Sequence, residues 1–292
     1  MVAALPRNIR LKLDQTLNQW RQWRCDPPLP GPPRIISLFG SGISNHSVLV
    51  EADKRYVIRI TGVHAGNNSL SRSTEWRTLN AAHEAGLAPC PRYYNPELGV
   101  LVCDYLHPDS SRSDKLSETA ALLRSIHQLP AIHHRLDLRE RVTRYEKQLQ
   151  HLNREVPGVI ISSREAIWCL LDHLIQDKDT PVPCHNDLLA ANRIVSGNQL
   201  WAIDWEYCAM GSAWFDLAVV AVGDALDADQ KQELVSCYLG RHPNAEESLK
   251  FLRHCIVYQY LEILWYLANK SAPEDLDRRL QDLQQTLNRG NY

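Results

Sequence analysis

The chain has 292 residues, 44% hydrophobic and 23% charged, with a formal net charge of −2. That length can bury a large core in one domain or two lobes, and the composition excludes wholesale disorder. Near-neutral charge gives no general pull toward a phosphate polymer, and no apolar run approaches the roughly 18 residues of a membrane span. Neither a nucleic-acid partner nor a membrane span is expected.

In chain order, Ile9, Leu13, Leu17 and Trp20 fall at helical spacing and predict an amphipathic helix over 9–24. The stretch Pro27 to Pro33 cannot continue a helix and makes a stiff connector, so 1–34 forms a helix-plus-linker segment. The period then changes. Ile35 to Phe39, Val48 to Ala52 and Tyr56 to Ile60 are short runs of β-formers, with a bend at 51–55. A helix over 72–86 follows, with Gly86 as its stop. Val100 to Cys103 reads as a strand and closes a β-rich N-lobe over 35–103. Beyond it, 104–292 reads as a mostly helical C-lobe. Ser117 is the expected cap of one helix, and 137–152 reads as a charged surface helix. Ser162 with Glu165 form an expected capping box for a helix through Gln176. Ile194-Val195 and Leu200 to Ile203 flank Ser-Gly-Asn-Gln, a hairpin signal, and the chain is helical after Asp216. Strands first and helices after argue an α+β class.

The N-terminus has no apolar core followed by a small-residue cleavage site, so no secretory signal is expected. The eight cysteines are scattered, with no Cys-x-x-Cys and no zinc-ligand spacing. They read as reduced thiols of a cytoplasmic protein.

The densest polar cluster runs from Cys184 to Asn192, and Asp204-Trp-Glu206-Tyr follows across the hairpin. Asn192 and Asp204 are hard oxygen donors of the kind magnesium takes, and Asp187 is then left to orient or deprotonate an attacking hydroxyl. The pattern His185-x-Asp187, four residues, Asn192, then Ile203-Asp204 resembles the catalytic loop and metal segment of the aminoglycoside phosphotransferase and choline kinase superfamily. The forms CHND and IDWEY look most like its choline/ethanolamine kinase and thiamine kinase branches. The likeness covers about residues 35 to 270.

That resemblance implies a protein-kinase-like two-lobed fold, with ATP and Mg2+ as cofactors. It implies Asp187 as the catalytic residue, and Asn192 and Asp204 on the metal. It leaves Glu206 as either a second metal ligand or a hairpin residue. His185 and Asp216 would be structural supports of the loop, and His127 would serve packing. In Phe39-Gly-Ser-Gly-Ile-Ser-Asn45, glycines let main-chain N–H groups approach phosphate, which makes Gly42, Ser44 and Asn45 nucleotide candidates. Arg59 is a charge in mid-strand, either a solvent-face residue or the phosphate cation of the family, with Glu75 as its ion-pair partner. Main-chain groups around Cys103, Asp104 and Tyr105 would hold adenine.

The acceptor implied is a small alcohol carrying a positive charge, such as choline, ethanolamine or thiamine. Trp205, Tyr207 and Trp265 would provide aromatic faces and Glu206 negative charge. Aromatics at helical spacing also serve as core, so each has that second reading. An aminoglycoside-type or other sugar kinase and a catalytically silent nucleotide-binding module remain alternatives. A protein kinase is disfavoured, because no Asp-Phe-Gly or Ala-Pro-Glu bounds an activation loop.

Overall fold

The computed structural model describes residues 5–39, 45–62, 72–109, 114–177, 179–269 and 273–288. The expected phosphate-loop residues Gly42 and Ser44 lie outside these. In chain order the elements are α1 (Arg7–Asn18), β1 (Arg34–Leu38), β2 (Asn45–Glu51), β3 (Arg55–Thr61), α2 (Arg72–Glu84), β4 (Pro91–Asn95) and β5 (Val100–Asp104). Then come α3 (Leu116–Ile126), α4 (Leu138–His151), α5 (Gly158–Gln176), β6 (Val182–Cys184), β7 (Arg193–Ser196), β8 (Gln199–Ala202) and β9 (Ala209–Gly211). The chain ends in α6 (Ala213–Gly223), α7 (Ala228–Leu239), α8 (Ala245–Asn269) and α9 (Leu276–Asn288).

Two compact units result. The first comprises Met1–Ser113 with Ile194–Tyr207. Its five-stranded antiparallel sheet has the order β1-β2-β3-β5-β4. Strict alternation in β3 sends Tyr56, Ile58 and Ile60 into a core shared with Ile9 and Leu13 of α1. Arg59 therefore leaves the opposite face. Lys54 closes the β2–β3 bend by accepting the Ala52 N–H at 3.0 Å. Gly86 ends α2 at a φ of +73°, a conformation that strains a side-chain-bearing residue. The hairpin of β7 and β8 belongs with the sheet. The Ala202 N–H donates to the Leu87 carbonyl at 2.8 Å, and Asp109 accepts from the N–H groups of Gly197 and Asn198.

The second unit comprises Asp114–Arg193 with Cys208–Tyr292. The 25-residue α8 runs through its centre and packs on α4, α5, α6 and α9. Its buried residues fall on every side, which fits a central helix. No helix among the described residues is long and apolar enough to cross a membrane.

Several element boundaries differ from the sequence expectation. β4, which the sequence reading leaves unmarked, begins with Pro91 and is an edge strand, where one face of the backbone needs no ladder bond. The ribbon of β6 and β9 is too short to show a period. Ser117 lies inside α3, whose cap is Lys115. Ser162 lies inside α5, and its hydroxyl donates back to the Val159 carbonyl at 3.1 Å.

Candidate active site

The first unit gathers one set of expected residues. Arg59 of β3 is mostly buried and donates to both Glu75 of α2 and Asp204. Asp204 has a φ of +61°, an infrequent conformation that an Asp tolerates better than most residues. It precedes the one-turn helix Trp205–Tyr207, which carries Glu206. The Asn45 amide nitrogen donates to Glu206 Oε2 at 3.1 Å. Burial, then the Asp204 charge, pushes the Glu206 carboxyl up to about 7. Burial opposes the charge on Arg59, but Glu75, Asp204 and Glu206 outweigh it and hold the guanidinium protonated. The cluster thus has three carboxylates against one cation. Such an excess of negative oxygens fits a hard divalent ion, and magnesium takes just these donors.

The expected adenine segment has other commitments. Asp104 accepts from Arg92 through both oxygens, each at 2.6 Å, and from Lys54 at 3.1 Å. Its N–H donates to the Cys90 carbonyl, and the Tyr105 N–H to that of Arg55. Both N–H groups are therefore committed to main-chain partners of the first unit. The Tyr105 ring stacks on Phe39 at 6.2 Å and meets His107 edge-on. Cys103 sits in β5 between Val57 and Pro91, and burial pushes its thiol up.

The second unit carries the loop from β6 to Asn192. Asp216, in the first turn of α6, is fully buried beneath it. Its carboxylate accepts the His185 N–H at 2.8 Å and the Asn186 N–H at 2.6 Å. His127 Nε2–H donates to it at 3.1 Å, and Nδ1 of that ring lies 2.7 Å from the Tyr238 hydroxyl oxygen. Burial alone would raise the Asp216 carboxyl, but the bonds and nearby charge of His127, with further help from His185, hold it below the usual carboxylate range. On the other side of the loop, Asn192 Nδ2 donates to the Asp187 carbonyl at 2.8 Å and to Asp187 Oδ2 at 2.9 Å. Both amide hydrogens are thereby spent on Asp187. The amide oxygen has no hydrogen bond among the described residues and is the atom that suits a metal.

Sequence reasoning missed a third support. Arg193, with its side chain 5% exposed, donates to the Leu188 carbonyl at 2.8 Å, to Asp114 at 2.6 Å and to Asp224 at 2.6 Å. Asp224 also accepts the Ala190 N–H at 2.8 Å. The loop is therefore held at four stations: Asp216 at 185 and 186, Arg193 at 188 and Asp224 at 190. The only advance signal was position, an arginine directly after the metal-type Asn.

The expected aromatic faces separate. Trp205 is 1% exposed and its Nε1–H donates to the Ala202 carbonyl at 3.2 Å, so its ring is core and is removed from the acceptor set. Tyr207 is half-buried in the first unit. Trp265 is half-buried on α8 and meets Tyr266 edge-on at 5.3 Å. Tyr258, two helical turns earlier, lies beside the loop. A Cβ placed on Gly223 would come 2.2 Å from Leu189 and 3.5 Å from the Tyr258 hydroxyl.

Against known proteins, a LicA homolog of Mycoplasma capricolum is 30% identical over 137 residues, 47% of this chain and 53% of that protein. A thiamine kinase of Salmonella heidelberg is 28% identical over 163 residues, 54% of each chain. The chain thus spans about half the length of curated relatives such as these. The crystal structure of choline kinase LicA from Streptococcus pneumoniae superposes with a TM-score of 0.74 at 22% identity, covering 88% of this chain and 95% of that one. The fold is protein-kinase-like, with the sheet in the first unit and helices dominating the second. The model of the phosphotransferase enzyme family matches residues 35–252, and the chain belongs to that family.

Proposed function

We propose that this chain transfers the γ-phosphoryl group of ATP, with magnesium, to the hydroxyl of a small cationic alcohol such as choline, ethanolamine or thiamine. The observation that carries the reading is the double bond from Asn192 to Asp187 on a loop held by Asp216. It holds the Asp187 carboxylate firmly, as a proton acceptor needs, and spends the Asn192 amide hydrogens so that its oxygen suits a cation. The curated relatives named LicA and thiamine kinase support the acceptor class.

In this reading Asp187 accepts the acceptor's hydroxyl proton. The bond from that oxygen to the γ-phosphorus forms, the bond to the β–γ bridging oxygen breaks, and ADP leaves with the electron pair. Asn192, Asp204 and Glu206 would hold magnesium, which neutralises charge on the phosphate oxygens when bound. Arg59, positioned by Glu75, is the phosphate cation, and its planar fork suits two oxygens at once. A cytoplasmic location, where ATP is abundant, fits this activity.

An ATP-consumption screen over choline, ethanolamine, thiamine and amino sugars tests the reading. One cationic alcohol should support turnover, and Asp187→Asn should reduce it by about 10²–10⁴-fold while MgATP binding persists. Near-normal turnover by the Asn variant would sink the role of Asp187. Activity confined to uncharged sugars would sink the acceptor class.

A further inference from the structure

The α8–α9 pair of the second unit holds a cation of its own next to the catalytic loop. Glu262 and Tyr266 are one helical repeat apart on α8 and share a face with Tyr258. Leu189 of the loop and the Tyr258 hydroxyl both lie beside Gly223 of α6, and burial first, then charges that include Glu262 and Asp187, raise the phenols of Tyr258 and Tyr266. An acid and an aromatic ring side by side, within electrostatic reach of Asp187, are the features that seat an organic ammonium. In this structure that seat is taken. Arg279, in the first turn of α9, donates from Nη1 to Glu262 at 2.6 Å and from Nε to Asp275 at 3.1 Å. Its guanidinium carbon lies 5.8 Å from the Tyr266 ring centroid. The side chains of Arg279 and Glu262 are only 15% and 8% exposed, so the pair is well shielded from water.

We infer that Arg279 is an internal competitor for the acceptor's cationic group, and thereby a specificity-determining residue. The inference rests on the reading of Asp187 as the residue that meets the acceptor hydroxyl. An incoming ammonium must displace the guanidinium from Glu262 and Tyr266, or bind with the acid already neutralised. Either way a fixed positive charge contributes less to binding than the same seat would give without Arg279. Asp275 sets how firmly the competitor is held, because it fixes the Nε edge of the fork while Glu262 fixes Nη1. The acceptor range of this chain is therefore broader toward weakly charged or neutral alcohols than an acid-and-aromatic cage alone would allow.

The test uses tetramethylammonium, which has the cation and no hydroxyl, so it reads the seat without phosphoryl transfer. Calorimetric titration of the full chain should give at least tenfold tighter binding to Arg279→Met than to the unsubstituted protein. Asp275→Asn, which leaves both Glu262 and Arg279 in place, should give a smaller gain of about two- to fivefold, and decides the matter if the Met variant does not fold. Equal affinity in the folded variants and the unsubstituted protein would overturn the inference. Tighter tetramethylammonium binding, with no alcohol phosphorylated in the screen above, would uphold the competitor and remove the proposed activity. Choline turnover with no gain in either variant would do the reverse.

Discussion

Asp216→Asn isolates the support beneath the catalytic loop. The buried carboxylate accepts from two main-chain N–H groups at 2.8 and 2.6 Å and from His127 at 3.1 Å. An asparagine offers one acceptor oxygen and an NH2 group. At least one N–H of the loop then loses its partner, and the new NH2 is forced toward a donor. Hydrogen bonds to a buried charged group contribute about 1.5–3 kcal/mol each, so losing one or two of three removes about 1.5–6 kcal/mol. Urea unfolding at pH 7 reads this as a lowered midpoint, and amide exchange at 185 and 186 should accelerate with it. The wild-type carboxyl is held below its ordinary value of about 3.9. Its contribution is therefore complete above that pH and is lost as pH falls through the lower folded value, so the substitution also flattens the acid limb there. A loss under about 1 kcal/mol, with exchange at 185 and 186 unchanged, would refute the argument that these bonds position the loop.

Arg193→Met should cost about 3–5 kcal/mol, because it leaves Asp114 and Asp224 without their guanidinium, and Arg193→Lys should restore only part. Melting temperatures of the three proteins read this, and a Met variant as stable as the unsubstituted chain would count against the clamp. His254 lies buried on α8 with Nδ1–H donating to the Lys250 carbonyl at 2.9 Å, and burial pushes its imidazole down to about 4. The unfolded chain, with a value of about 6.5, binds that proton first, so stability falls by about 3 kcal/mol as pH drops from about 6.5 to about 4. His254→Gln should reduce the difference between urea midpoints at pH 7 and pH 4.5, and an unaltered difference would refute the assignment.

What could be read in advance depended on whether a residue's role is local. Alternation in β3 fixes which residues face the core, and so places Arg59 on the other face without knowledge of any partner. The spacing from Asp187 to Asn192 is short enough for one loop to bring the two side chains into contact, and it does. β4 goes unmarked because the meaning of its first residue, Pro91, differs between an edge and an interior strand, and edge position is a property of the whole sheet. Trp205 misleads because a ring beside two acids reads the same in sequence whether it faces solvent or core, and its burial in the folded chain distinguishes them. Arg193 was illegible for a stronger reason. Its carboxylate partners lie 79 residues before it and 31 after, and a buried charge has no composition or period of its own. Arg279 combines both cases: its i−4 partner Asp275 is visible in the sequence as a helix-start pair, while Glu262, 17 residues back on another helix, is not. Read locally, Arg279 is an exposed helix charge; with Glu262 in place it is a half-buried cation near an aromatic ring. Motif spacing can therefore nominate the groups that do chemistry, but the groups that position them, or compete with a substrate for them, are defined by long-range pairing and become visible only when the chain is folded.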